Sequence, residues 1–103
     1  MVKIMNQSEN ITLEKIDVKL PSLYKVIFFN DDVTPMGFVV EVLCNVFKKT
    51  KEDAIRLMLE IHNSGSGVAG VYIKSIAESK VTMVREISIK ANYPLTVTME
   101  KED

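Results

Sequence analysis

The stretch Phe29-Asn30-Asp31-Asp32-Val33-Thr34-Pro35-Met36 constrains this chain more than any other. An apolar run ends at Phe29, three polar side chains follow, and a second apolar pattern of longer period opens at Met36. Asn and Asp are poor strand residues, and their short side chains bond to nearby backbone, so this segment is a turn. Thr34-Pro35 then reads as a helix start. Thr34 is the expected N-cap, and Pro35 the first helical residue, where a missing N–H costs nothing. Strand, polar turn and helix are thereby fixed in that order. A turn wedged between two regular elements holds its side chains rigidly, which suits a binding site.

The periods on either side extend this frame. Residues 24–29 are apolar on both faces apart from Lys25, which predicts a central, covered strand. In residues 35–47, Met36, Val39, Val40, Leu43 and Phe47 recur at helical spacing. Gly37 weakens that helix by roughly 1 kcal/mol relative to Ala. Thr50-Lys51-Glu52-Asp53 resembles a capping box with Asp in its last position. A helix over 51–64 follows, with Ala54, Leu57, Met58 and Ile61 on its core face. His62 lies four residues after Met58 and shares its side of the helix. Ser64-Gly65-Ser66-Gly67 is a turn, and 68–73 a strand in which Gly70 predicts a bulge or a close backbone approach. Ser75-Ile76-Ala77-Glu78 spells a second capping box. Its helix carries Ala77, Val81, Val84, Ser88 and Ala91 on one face, flanked by Ile76, Met83 and Ile87, and stops at Asn92-Tyr93-Pro94. Residues 95–99 alternate as a half-covered strand. The expected fold is α+β: a three-stranded antiparallel sheet packed against three helices, in the order β-α-α-β-α-β. Residues 1–20 keep no sustained period and read as a flexible arm, while 21–103 form a single domain, with Pro21 and Ser22 at the boundary.

Composition narrows the function. A chain of 103 residues, 47% hydrophobic and 26% charged, supports one globular domain. A net charge of -1 gives no electrostatic reason to expect nucleic acid or an anionic membrane as partner. No apolar run approaches the ~18 residues a membrane span needs, and no secretory signal pattern opens the chain. The single Cys44 makes no internal disulfide. A cytoplasmic protein is expected. An enzyme would have to use Asp31 or Asp32 with His62 as general acid and base. Adjacent residues in an extended segment point to opposite sides, so the two carboxylates do not converge. There is no nucleophile motif, Gly-rich phosphate loop or metal-ligand spacing, so neither catalysis nor a cofactor is expected. Taken one at a time, Asn30 and Asp31 suit turn formation, His62 a helix C-terminus, and Met36 and Met58 core filling. If they meet, they suit one ligand: a carboxylate, an amide oxygen and a neutral imidazole nitrogen all accept from an ammonium group. An apolar pocket beside them would take a large side chain, and the two together describe a peptide N-terminus.

The segment from Tyr24-Lys25-Val26-Ile27 through Asn30-Asp31-Asp32 and Thr34-Pro35-Met36, followed by Phe38-Val39, Ala54, Leu57-Met58 and His62, resembles the ClpS adaptor family. So do Gly70-Val71-Tyr72, Ala77-Glu78, Lys80-Val81, Pro94-Leu95 and Glu100. The resemblance implies a non-enzymatic adaptor for substrates that begin with Leu, Phe, Tyr or Trp. It implies as partner the N-terminal domain of a ClpA-type AAA+ unfoldase of the ClpAP protease. Position by position, Asn30, Asp31 and His62 would hold the α-amino group, with Asp32 in support. Met36, Val39, Met58, Ile61 and Leu95 would wall the side-chain pocket, with Thr34 at its edge and Met36 as gatekeeper. Glu78 and Lys80 match residues at the unfoldase contact, and the arm is the part that engages the unfoldase during handover. Ser75, Val33, Gly37 and Tyr93 depart from the family pattern, where acidic, Tyr, acidic and His residues are common. These departures bear on partner affinity and substrate ranking. They leave open a second role, as a regulator that occupies the unfoldase and blocks other substrates without delivering its own.

Overall fold

Residues 20–102 are described by a computed structural model. β1 (Leu23–Phe29) lies between β2 (Ser66–Ile73) and β3 (Thr96–Lys101) in one antiparallel sheet. Helices α1 (Met36–Phe47), α2 (Lys51–Ser64) and α3 (Lys74–Ala91) complete the order β1-α1-α2-β2-α3-β3. The α+β architecture is the one expected. Val26 and Phe28 of β1 have no exposure and join one core with Val39, Leu43, Ile61, Ala77, Val84, Leu95 and Val97. Successive strand residues face opposite sides, so Leu23, Lys25, Ile27 and Phe29 form the other face, paired with Ile73, Val71, Val68 and Ser66 of β2. There Leu23, Val68, Val71 and Ile73 stay about 40% exposed. β1 is therefore central, fully covered on one face and on the other only at Ile27, which is 8% exposed. Its doubly apolar sequence does not distinguish these cases.

β2 carries the irregularity that Gly70 predicts. Gly70 pairs with Val26 and Val68 with Ile27, which leaves Ala69 as the extra residue of a bulge. A Cβ on Gly70 would stand 2.6 Å from Cζ of Tyr72, so the Tyr72 ring occupies the space a side chain needs.

The helix ends follow local chemistry, with two corrections. Thr50 caps α2 as expected, its Oγ accepting the Asp53 N–H at 3.1 Å. Gly65 ends that helix with φ 96, a left-handed conformation that favours glycine, and its N–H bonds the Ile61 carbonyl. Thr34, however, does not cap α1. Its hydroxyl is committed to Asp31 at 2.8 Å, and extended Pro35 takes the N-cap place without a side-chain bond. Ser75 does not cap α3 either. β2 runs directly into the helix, Ile73 holds the cap place, and Ser75 and Glu78 lie within the helix. Among the described residues no helix is long and apolar enough to cross a membrane.

Candidate functional site

The turn after β1 is built around one carboxylate. Asp31 Oδ1 accepts the N–H groups of Val33 (2.8 Å) and Thr34 (2.6 Å), and its Oδ2 accepts the Thr34 hydroxyl (2.8 Å). Partial burial pushes this carboxyl up, but the Thr34 and Val33 donors outweigh it and hold it below its ordinary 3.8. Asp31 thus remains a carboxylate with acceptor capacity to spare at Oδ2. Asp32, its neighbour, is exposed.

The sheet carries this turn to the end of α2. Asn30 leaves β1, and its N–H donates to the Gly65 carbonyl at 2.9 Å. Gly65 is the C-cap of α2, and the preceding last turn holds Ile61 and His62. On the other side Phe29 pairs with Thr96, so the register continued by one residue sets Leu95 level with Asn30. The polar corner therefore stands between the His62-bearing helix end and the residue that leads into β3. Asn30 and His62 are exposed, and among the described residues none hydrogen-bonds the Asn30 side-chain amide or the His62 imidazole. The corner can accept hydrogen bonds from a donor-rich cation, and its Asp31 and Asp32 give it negative charge.

The apolar residues divide in two. Val39, Ile61 and Leu95 share the buried core and are 7%, 3% and 7% exposed. Met58 is half-buried against that core, and Met36, the first residue of α1, is 49% exposed. Met36 and Met58 are both flexible side chains, and Val33, in the turn itself, is 65% exposed. Thr34 is half-buried, tied to Asp31. Two surface depressions lie elsewhere. One, of about 580 Å³, runs between α3 and β3 and is lined by Glu78, Arg85 and Met99 among others. The second is on α3 at Glu86, Ile87, Ile89 and Lys90. Of the expected site residues only Glu78 lines either.

Glu78 is exposed, as a partner contact requires. Lys80 is placed differently. Its ammonium donates to the Val46 carbonyl at 2.7 Å, near the C-terminus of α1, and lies 5.9 Å and 5.8 Å from the ring centres of Phe47 and Tyr72. Its charge is engaged inside the molecule. Sequence reasoning missed this, because Val46 is 34 positions away. It also passed over Gly65 as the residue that holds Asn30. A glycine just past a helical pattern is a recognised stop signal and was the available clue.

A family model for the ATP-dependent Clp protease adaptor protein ClpS matches residues 19–98. The chain belongs to the ClpS family. The ClpS adapter protein of Maricaulis maris is 54% identical over 84 residues, 82% of this chain and 77% of that one. The ClpS of Acetivibrio thermocellus is 49% identical over 87 residues, 84% of this chain and 88% of that one. Among solved structures, Agrobacterium tumefaciens ClpS2 bound to L-phenylalaninamide superposes with a TM-score of 0.78 at 40% identity. It covers 81% of this chain and all of that one. The ClpS match spans β1 through the first half of β3, and with them every residue of the corner described above.

Proposed function

We propose that this ClpS-family chain is a non-enzymatic adaptor for N-degrons. It binds the free α-amino group and bulky side chain of proteins that begin with Leu, Phe, Tyr or Trp. It then delivers them to the N-terminal domain of a ClpA-type AAA+ unfoldase in the cytoplasm. The observation that carries this reading is the backbone bond from Asn30 to Gly65, which seats the Asp31 turn against the end of the helix bearing His62. An α-ammonium has three N–H donors. Asp31 Oδ2, the Asn30 amide oxygen and a neutral His62 nitrogen supply three acceptors, one of them charged, and a charge-assisted bond is the stronger kind. The side chain then enters between Met36 and Met58, toward Val39, Ile61 and Leu95. The relative from Agrobacterium tumefaciens supports the reading, since L-phenylalaninamide carries both a free α-amino group and a phenylalanine side chain.

The test is a titration with a short peptide beginning in Phe. Binding is expected to disappear when the N-terminus is acetylated, and to weaken by about tenfold in His62→Ala, the effect of losing one hydrogen bond to a charged group. Equal binding of the acetylated peptide would remove the proposed amine contact. A degradation assay with a Leu-initiated reporter separates delivery from mere occupancy of the unfoldase. Acceleration supports delivery, and inhibition alone supports the blocking regulator.

A further inference from the structure

We propose that the Phe38–Tyr93 ring pair is a positioning device for Leu95 and thereby sets the ranking of N-terminal side chains; the inference rests on the reading of the site given above. Tyr93 lies in the short connection between α3 and β3. Its ring meets that of Phe38 edge to face, with centres 4.8 Å apart and planes at 66°. Such geometry is the favoured one for aromatic pairs. Phe38 belongs to the first turn of α1, between Met36 and Val39. The pair therefore ties the wall contributed by α1 to the connection that brings in Leu95.

The connection is held at both ends. At its start, left-handed Asn92 (φ 62) turns the chain out of α3, and the Tyr93 N–H bonds the Ser88 carbonyl at 3.0 Å. Pro94 follows with a fixed φ. At its far end Thr96 pairs with Phe29, directly before Asn30. Leu95 is suspended between these anchors, 7% exposed. The ladder fixes one anchor irrespective of side chain. At the other, the Tyr93 ring adds a side-chain contact with α1 to the backbone bonds of Asn92 and Tyr93. Close-packed walls transmit small displacements, so loss of the ring lets Leu95 give way. That relaxation favours the largest entrant most, since a loosened wall admits an indole that a rigid one resists. No described residue hydrogen-bonds the Tyr93 hydroxyl, so the ring and not the oxygen performs this task.

The experiment measures Kd for three peptides that differ only in beginning with Leu, Phe or Trp, using the full chain. In Tyr93→Ala the affinity for the Trp peptide relative to the Leu peptide is expected to rise by about three- to tenfold, the range an aromatic pair's contribution implies. Tyr93→Phe keeps the wild-type ratio. Phe38→Leu, acting from the other side, shifts the ratio in the same direction, and the double variant adds little to either single change. Should Tyr93→Ala fail to fold, Tyr93→Leu retains apolar bulk without the ring and reads the same ratio. An unchanged ratio in folded, ringless variants makes the pair merely structural and overturns the inference alone. If the wild-type chain binds none of the three peptides, the reading of the site falls and this inference with it.

Discussion

Two side chains show how single residues couple the fold to the site. Asp31 ties the turn through its carboxylate, and in the proposed function the same group attracts an amine. Substitutions separate the two tasks. Asp31→Ala removes all three bonds and is expected to cost about 1–2 kcal/mol in a denaturant titration. Asp31→Asn keeps an acceptor for the two N–H groups and loses less stability, yet peptide affinity falls because the negative charge is gone. The pH dependence has a definite sign. The carboxyl lies below its ordinary 3.8 in the folded chain, so the stability it contributes is fully present above that value and is lost as pH falls through the folded-state value. Melting measured at successively lower pH in wild type and Asp31→Asn should converge only in that acid range. Lys80 is the opposite case. Val46, Phe47 and Tyr72 surround its ammonium, so Lys80→Met, which preserves the stem, is expected to destabilise by about 1–2 kcal/mol. A melt at unchanged temperature would show those contacts to be idle. The Asp31 turn was legible because its partners lie within three positions. The Lys80 cage was not, because the fold alone brings its members together.

At the scale of elements, periodicity carried most of the information, and boundaries carried the errors. The core face of α3 came through as Ala77, Val81, Val84 and Ser88, with Ala91 only half-buried, and its flanking Ile76, Met83 and Ile87 stayed exposed. The buried set of α1 keeps Val39, Leu43 and Phe47 of the expected stripe and adds Val42 and Val46, while Met36 is exposed and Val40 half-buried. That helix packs against α2, α3 and β2 at once, so more than one side of it is covered. Thr34 and Ser75 failed as caps because capping spellings are local, while the cap place depends on where the preceding strand or turn releases the chain. Two glycines turn this into a contrasting prediction. Gly37 is exposed, and a Cβ there meets nothing within 4 Å, so Gly37→Ala should stabilise α1 by up to about 1 kcal/mol. Gly70→Ala drives a Cβ against the Tyr72 ring and should destabilise by about 1–3 kcal/mol through overpacking. Equal melting shifts in the two variants would mean that the Tyr72 ring yields freely.

For the whole molecule, the decisive event is the closure of the sheet end. Residue chemistry singled out Asn30, Asp31 and His62, and the family resemblance added Leu95, but the register that sets Gly65 on one side of Asn30 and Leu95 on the other belongs to strand pairing over long separations. That is why the site was legible as residue types and not as geometry until a family resemblance ordered them. The same closure bears on the division of the chain. Among the described residues the buried core and the hydrophobics packed against it lie between Tyr24 and Met99, all beyond the boundary expected at Pro21. A chain shortened to begin at Leu20 is therefore expected to melt cooperatively, with a shift below about 3 °C, and to bind a Phe-initiated peptide as the full chain does. Its behaviour with the unfoldase should differ. If the arm serves handover, the shortened chain still captures the substrate yet no longer accelerates its degradation. Full acceleration without residues 1–19 would relocate handover to the folded domain, and a melting loss of many degrees would place part of the fold's stability in the arm.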